Sequence, residues 1–104
     1  MRRMNYPRFD KPINFGIFNA DRDVFILDHK PEVGIYVALI EDEGDSYTVL
    51  CSFSDTTNTN ACWYGTSWDD IVRLFYNPGN GNEIGTGPHG ALSAGATIKL
   101  YKIN

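Results

Sequence analysis

The sequence predicts an all-β fold: a single antiparallel β-sandwich or jelly roll of about seven to eight short strands, with at most one short helix. The 104 residues include six Phe, six Tyr, two Trp and ten Gly, a composition typical of strands joined by tight turns. Short stretches with an apolar residue at every second position recur along the chain, as half-buried strands require. A small open barrel is the main competing architecture.

Two strands are expected near the amino terminus. Ile13, Phe15 and Ile17 alternate with small or polar residues between Pro12 and Phe18. A short continuous apolar run follows within Asp23–Asp28, which suits a strand buried on both faces. We expect the phenylalanines at positions 15, 25 and 53 to lie in the core.

The middle of the chain predicts an antiparallel hairpin. Val33–Glu41 and Ser46–Phe53 both alternate, and the polar stretch between them, which contains Gly44, has the composition of a tight turn. The acidic residues of that turn, from Glu41 to Asp45, lack the spacing of an EF-hand. We therefore interpret them as a solvated turn rather than a calcium site.

The last third contains one ambiguous segment. A short return strand is expected over 61–65 and a closing strand over 97–103, with a long loop rich in Gly, Asn and Pro over 77–90. Residues 67–76 fit either a short helix, since Ser67 and Asp70 resemble a capping box, or a strand. The β-branched and aromatic content of 71–76 favours the strand.

The length is that of one domain. We expect residues 1–11 to form an extended, basic amino-terminal arm and residues 12–104 to form the domain. No apolar stretch follows the arm as a signal peptide would require.

The net charge of −4 gives no basic footprint for nucleic acid, and the apolar runs are too short for a membrane span. Neither nucleic acid nor a membrane is therefore expected as a partner.

The two cysteines do not form a metal site, because the other ligands of a zinc site are missing. Cys51 and Cys62 both stand in apolar surroundings and are interpreted as small buried hydrophobic residues. The alternative is a cross-strand disulfide, since a hairpin turning near residues 56 and 57 would place the two opposite each other.

No motif in the chain indicates catalysis. Gly85–Gly90 matches the G-x-G-x-x-G spacing, but a glycine-rich loop precedes it and a strand follows it, so the dinucleotide-binding context is missing. Asp69 and Asp70 are neighbours, and in a strand they would point to opposite faces rather than flank one bond. The two histidines, His29 and His89, are far apart and both lie in turn-like segments, so no general base stands out. We expect no enzyme activity, no cofactor and no metal.

The aromatic residues are the best candidates for a working surface. Trp63 and Tyr64 are adjacent, so alternation points one of them outward. Exposed aromatic rings suit protein contacts or stacking on sugars. The candidate binding surface comprises Trp63, Tyr64, Trp68, Tyr76 and Tyr101, and Phe75 belongs to the same cluster along the chain.

The carboxy-terminal third resembles the β-sandwich domains that end tail-fibre and virion-surface proteins of tailed phages. The resemblance covers about Trp68–Asn104 and is carried by the strand-like 71–76 segment, the turn Ala94–Thr97 and the ending Ile98–Ile103; Lys102 stands where that pattern has glycine. It implies a non-enzymatic virion protein, assembled in the host cytoplasm, that decorates a capsid or belongs to a tail or fibre.

The partners expected on this basis are other virion proteins, a second copy of the chain in a homo-oligomer, and a cell-surface glycan. Two further functions stay open from the sequence. One is a carbohydrate-binding, lectin-like module, and the other is a small inhibitor or immunity protein.

Overall fold

Eight antiparallel strands make up most of residues 11–54, 62–67, 69–75 and 82–103, which the computed structural model describes; for Cys62 it describes the backbone. The strands are β1 (Asn14–Asn19), β2 (Val24–Leu27), β3 (Gly34–Asp42), β4 (Asp45–Ser54), β5 (Cys62–Ser67), β6 (Arg73–Phe75), β7 (Glu83–Gly87) and β8 (Thr97–Lys102). They contain no helix within these ranges, so the all-β prediction is confirmed.

The strands close into one barrel in the order β1-β2-β7-β6-β5-β4-β3-β8, and β8 pairs again with β1. Strands β3 to β7 follow one another as a meander. The hairpin β1–β2 and the strand β8 fill the remaining gap between β7 and β3. The predicted sandwich or jelly roll is not confirmed, because hydrogen bonds run around the whole circumference.

The inside of the barrel is filled by large apolar side chains. Trp63 is fully buried, with its ring centroid 4.8 Å from that of Phe53 and 5.4 Å from that of Tyr36. Burying each such side chain contributes roughly 1.5–3 kcal/mol. The fully buried members of the core include Phe25, Tyr36, Ile40, Val49, Trp63, Val72, Ile84, Ile98 and Leu100.

The predicted hairpin in the middle of the chain is confirmed. Asp42 pairs with Asp45 across a two-residue turn. Glu43 and Gly44 both have positive φ, at 50° and 91°, which is the geometry that matches the twist of the flanking strands. In β3 the inward residues are Tyr36, Ala38 and Ile40, and in β4 they are Val49, Cys51 and Phe53.

The first strand departs from the expected core. Its alternation is present, but Asn14 is 2% exposed whereas Phe15 is 39% exposed, so the prediction that Phe15 lies in the core is wrong. The Asn14 side-chain amide donates to the His29 carbonyl at 2.9 Å. A Cβ on Gly16 would lie 2.9 Å from the Leu27 side chain and 3.0 Å from a backbone oxygen. The inward face of β1 is therefore Asn14, Gly16 and Phe18, and Phe15 and Ile17 face outward.

The region after β5 differs from prediction in two places. The strand favoured within 67–76 is present but shorter, since a turn precedes β6 and the strand itself spans Arg73–Phe75. The loop expected over 77–90 is partly wrong, because 83–87 form β7 between β2 and β6. Glycine weakens a strand locally, so long-range pairing with two neighbours, rather than local propensity, makes this segment a strand.

The structure distinguishes between the two interpretations of the cysteines, buried hydrophobic residues or a cross-strand disulfide. Cys51 is a buried free thiol, as expected of a small hydrophobic residue. It lies opposite Gly65, while Cys62 lies opposite Ser54. The hairpin register therefore does not place the two cysteines opposite each other, and the cross-strand disulfide is wrong.

Candidate binding surface

Strand β5 presents one aromatic side chain to the core and the next to solvent. Trp63 is fully buried, whereas Tyr64 is 73% exposed. The alternation argument is thus confirmed for the pair, but the assignment of Trp63 to the surface is wrong. A tyrosine held this far out of a barrel wall contributes little to the core.

Tyr64 forms one wall of a groove on the outer surface of β5, β6 and β7. The groove has a volume of about 930 Å³ and is lined further by Thr66, Ile71, Arg73 and Phe75, with Pro88 at its rim. Ile71 and Phe75 are 45% and 41% exposed. The groove is therefore mainly apolar and aromatic, with one cation, Arg73, and one carboxylate, Asp70, at its sides.

The turn between β5 and β6 is organised by a single hydroxyl group. Ser67 Oγ accepts from the backbone N–H of Ile71 at 3.1 Å and of Val72 at 3.0 Å, and it donates to Asp69 Oδ1 at 2.6 Å. This last hydrogen bond lowers the pKa of Asp69 below its usual range. The turn holds Val72 in the core and leaves Ile71 in the groove.

Phe75 is positioned by the glycine opposite it. It pairs with Gly85 in the β6–β7 register, and a Cβ built on Gly87 would lie 3.1 Å from its ring. The Phe75 ring thus lies against β7 where that strand has glycine, at positions 85 and 87. Phe75 on β6 therefore lies beside Tyr64 on β5, since the register pairs their neighbours Leu74 and Gly65.

Two histidine–aspartate pairs lie outside the groove, and neither has the parts of a catalytic site. His89 Nδ1 lies 2.5 Å from Asp23 Oδ2, but the nearby Thr86 hydroxyl donates to the Asp23 backbone carbonyl. His89 therefore links the loop after β7 to the β1–β2 turn without activating a nucleophile. His29 Nδ1 lies 3.0 Å from Asp28 Oδ1, also at the surface.

No group of three or more potential ligands that could hold a metal ion occurs within the described ranges. Searched over the same residues, the chain contains no helix long and apolar enough to cross a membrane.

The other residues predicted for the surface are not brought together there. Tyr101 is 7% exposed on β8, on the far side of the barrel from the groove. Trp68 and Tyr76 lie outside the described residues. Ile71 and Pro88 were missed, although the alternation of Ile71, Arg73 and Phe75 against Val72 and Leu74 is a signal that could have indicated the outer face of β6.

The geometry describes a small all-β barrel with an apolar groove on its wall. In comparisons with known proteins, the chain is 38% identical over 56 residues to T cell receptor alpha variable 22 of Homo sapiens, a match that covers 54% of this chain and 46% of that protein. The chain thus spans less than half the length of the curated relative that it matches. No family model matches the chain, and no solved structure matches it.

The comparison overturns the predicted phage relationship. The protein found to be similar is a human immune-receptor sequence and not a phage structural protein. The assignments to a capsid, tail or fibre and to the virion as location are therefore wrong. The short carboxy-terminal pattern on which they depended is explained by ordinary strand structure: Ile98 and Leu100 are buried, and Gly95 lies in the turn before β8.

Proposed function

We propose that this chain is a non-enzymatic binding module that holds an extended, partly apolar segment of a partner protein in the groove over β5, β6 and β7. The observation that carries the proposal is the exposure of Tyr64, beside Ile71 and Phe75 in one concave surface. Tyrosine and arginine are enriched among the residues that dominate binding energy at interfaces. The groove offers both types, Tyr64 in its wall and Arg73 at its side.

The similarity to a T cell receptor variable sequence supports a binding role, since a receptor works by binding. It does not identify a ligand. The absence of enzyme activity is part of the proposal. It is supported by the Thr86 hydroxyl near the His89–Asp23 pair, which donates to the Asp23 backbone carbonyl and not to the histidine. Division into a basic arm (1–11) and a domain (12–104) also stays a prediction.

The sandwich architecture stays a prediction as well. Variable-type domains are two packed sheets, which is the arrangement expected from the sequence and suggested by the match. A sandwich would require that the pairing between β-strands be interrupted at two places around the barrel.

Selection from a random peptide library tests the groove directly. Peptides enriched on the folded protein are measured by calorimetry against the wild type, Tyr64→Ala and Phe75→Ala, with Ile17→Ala as the matched control. Ile17 is 53% exposed on β1, which pairs with β2 and β8 and with none of the groove strands. Truncating a hot-spot aromatic residue costs about 2 kcal/mol or more. We therefore expect each groove variant to weaken binding by about 30-fold or more, and the control to bind as the wild type does.

The proposal fails if no peptide is enriched, or if enriched peptides bind both groove variants as tightly as the wild type. Thermal unfolding of each variant checks that the barrel is intact. Because both side chains are largely outside the core, we expect unfolding temperatures close to that of the wild type.

A further inference from the structure

The outer face of the groove over β5, β6 and β7 has a regular order of side chains. Residues 71–75 alternate between exposed and buried positions, so Ile71, Arg73 and Phe75 face outward while the two residues between them are buried. In an extended chain, side chains two residues apart lie on one face, roughly 6–7 Å from each other. The groove therefore presents an apolar side chain, a cation and a second apolar side chain at the repeat of an extended peptide.

Arg73, in the middle of this order, has no opposite charge across the strands. Its paired neighbours are Thr66 on β5 and Gly87 on β7, and neither is charged. The ion pairs among the described residues join other partners: Arg22 with Glu83, His29 with Asp28, His89 with Asp23, and Lys102 with Glu32. Within that part of the chain, Arg73 is thus a cation whose charge is not offset by an ion pair.

The carboxylate of the groove lining lies at one end and not at the centre. Asp70 belongs to the turn before β6 and is the neighbour of Ile71 in the chain, three residues before Arg73. It repels a second negative charge at the Ile71 end of the groove. A carboxylate of a bound segment is therefore favoured at the centre, beside Arg73.

A carboxylate at the centre of the groove has two donors within the same row. The guanidinium of Arg73 is a planar fork that matches the two oxygens of a carboxylate. The hydroxyl of Thr66 is on the next strand, at the position paired with Arg73, and both side chains are exposed. On the other side of Arg73, Gly87 has no side chain to take the place of a ligand.

The two ends of the groove suit apolar side chains. At one end Phe75 lies beside Tyr64, with Gly85 opposite Phe75 on β7. Paired rings of this kind bind an apolar or aromatic side chain through burial and ring contacts. At the other end Ile71 is 45% exposed. Covering either end removes apolar surface from water.

We propose that the groove selects a partner segment in which a carboxylate side chain stands between two apolar side chains, each two residues away from it. This inference rests on the proposed function and names the chemistry of the bound segment. The carboxylate binds Arg73 and Thr66. One apolar side chain packs against Tyr64 and Phe75, and the other packs against Ile71. Because the pattern is the same in both directions, it does not depend on which way the segment runs.

Side chains, and not backbone pairing, carry this selection. Each of the eight strands has a neighbour on both sides in the closed barrel, so a partner segment finds no strand edge to extend. Its spacing then decides whether it fits. A segment whose acidic residue directly follows an apolar one directs the two side chains to opposite faces, and only one of them can enter the groove.

Parallel selections from one random peptide library test the pattern. The library is selected on the wild type, on Arg73→Glu and on Lys99→Glu. Lys99→Glu is the matched control, since it reverses the same charge on β8, which pairs with none of the groove strands. We expect the wild type and the control to enrich Asp or Glu with apolar residues two positions away on both sides. Arg73→Glu should lose this enrichment and select Lys or Arg at the central position instead.

Calorimetry on a wild-type-enriched peptide measures the contact itself. The peptide is compared with a version that has the amide in place of its carboxylate, on the wild type and on Arg73→Gln. We expect the amide to bind the wild type about tenfold more weakly, which is the lower limit for losing a hydrogen bond to a charged group. Arg73→Gln should bind both peptides with similar affinity. The difference on the wild type should shrink at high salt.

The outcomes separate this inference from the proposed function. If Tyr64→Ala weakens the enriched peptides but they lack the acidic residue, or if Arg73→Gln still distinguishes carboxylate from amide, the inference is wrong and the binding groove stands. If no peptide is enriched, or Tyr64→Ala binds as the wild type does, the proposed function and this inference fail together. Moving the acidic residue of the peptide by one position should also weaken binding, and an unchanged affinity would contradict the spacing.

Discussion

Replacement of Gly65 by alanine should be the most damaging small change on the barrel wall. The added Cβ would lie 2.6 Å from the Leu50 carbonyl oxygen, 2.7 Å from Cys51 Cβ and 2.9 Å from Cys51 Cα. None of these atoms is at the end of a flexible side chain, so β4 and β5 must move apart to accept the methyl group. Overpacking of this kind costs typically 1–3 kcal/mol, and we expect a value of about 3 kcal/mol, near the upper end of that range.

The matched control is Gly87→Ala, also in a strand and also without positive φ. Its Cβ would meet the Phe75 ring at 3.1 Å, and this ring lies at the surface and can shift. We therefore expect a loss below about 1 kcal/mol, well short of a full overpacking penalty.

Urea unfolding followed by tryptophan fluorescence measures both losses, with the slope m checked for constancy. In a thermal scan, the Gly65 variant should unfold about 12 °C below the wild type, given roughly 4 °C for each kcal/mol in a domain of this size. If the two variants differ by less than about 0.5 kcal/mol, which is the scale of ordinary surface substitutions, then β4 and β5 do not approach as closely as the closed barrel requires.

Three further predictions concern the ionisable and buried polar groups. Asn14→Ala should cost about 0.5–1.5 kcal/mol in chemical unfolding, because it removes the hydrogen bond that the Asn14 amide donates to the His29 carbonyl. Burial raises the pKa of Cys51 to about 12. The neutral thiol is therefore favoured in the folded state, and its contribution to stability is complete below pH 9 and lost as the pH rises towards 12. Cys51→Ala should flatten that alkaline decline, and the native wild-type Cys51 should resist thiol reagents at pH 8 until the chain unfolds. The hydrogen bond from Ser67 lowers the pKa of Asp69, so the stability it contributes is present above the ordinary value of 3.8 and lost as the pH falls below it. Asp69→Asn should therefore make the acid unfolding curve shallower, and an unchanged curve would contradict this role.

The sequence is sufficient to predict strands wherever alternation and turn residues agree. Strands β3 and β4 show this agreement, because the turn at Glu43 and Gly44 sets a register that places Tyr36 and Cys51 inside together. The strand β7 shows the opposite case. Its segment Glu83–Gly87 has too few side chains for a periodic signal, and its strand structure depends on hydrogen bonds to β2 and β6, which are distant in sequence. Closure of the barrel depends on the same long-range pairing.

The candidate site was predictable only in part. The adjacency of Trp63 and Tyr64 indicates that one ring faces solvent, but not which one, because both residues are equally compatible with a core. The choice is made by the β4–β5 register, which pairs Trp63 with Phe53 and thereby places both in the interior. The contribution of Pro88 to the groove depends on β7, and it could not be recognised while that strand was interpreted as a loop.

Strand β1 shows why periodicity alone cannot assign the inside of a barrel. Ile13, Phe15 and Ile17 are spaced as a buried face should be, yet the barrel interior takes Asn14 and Gly16 instead. Burial of these three large apolar side chains would stabilise the fold by several kcal/mol, and their exposure loses part of that stabilisation. Polar side chains on the outer face would carry no such loss. Alternation shows that these side chains share one face of the strand, but it does not specify which of the two faces lies inside the barrel. The pairing of β1 with β2 and β8 makes that choice, because it places Gly16 beside the buried residues Leu27 and Ile98.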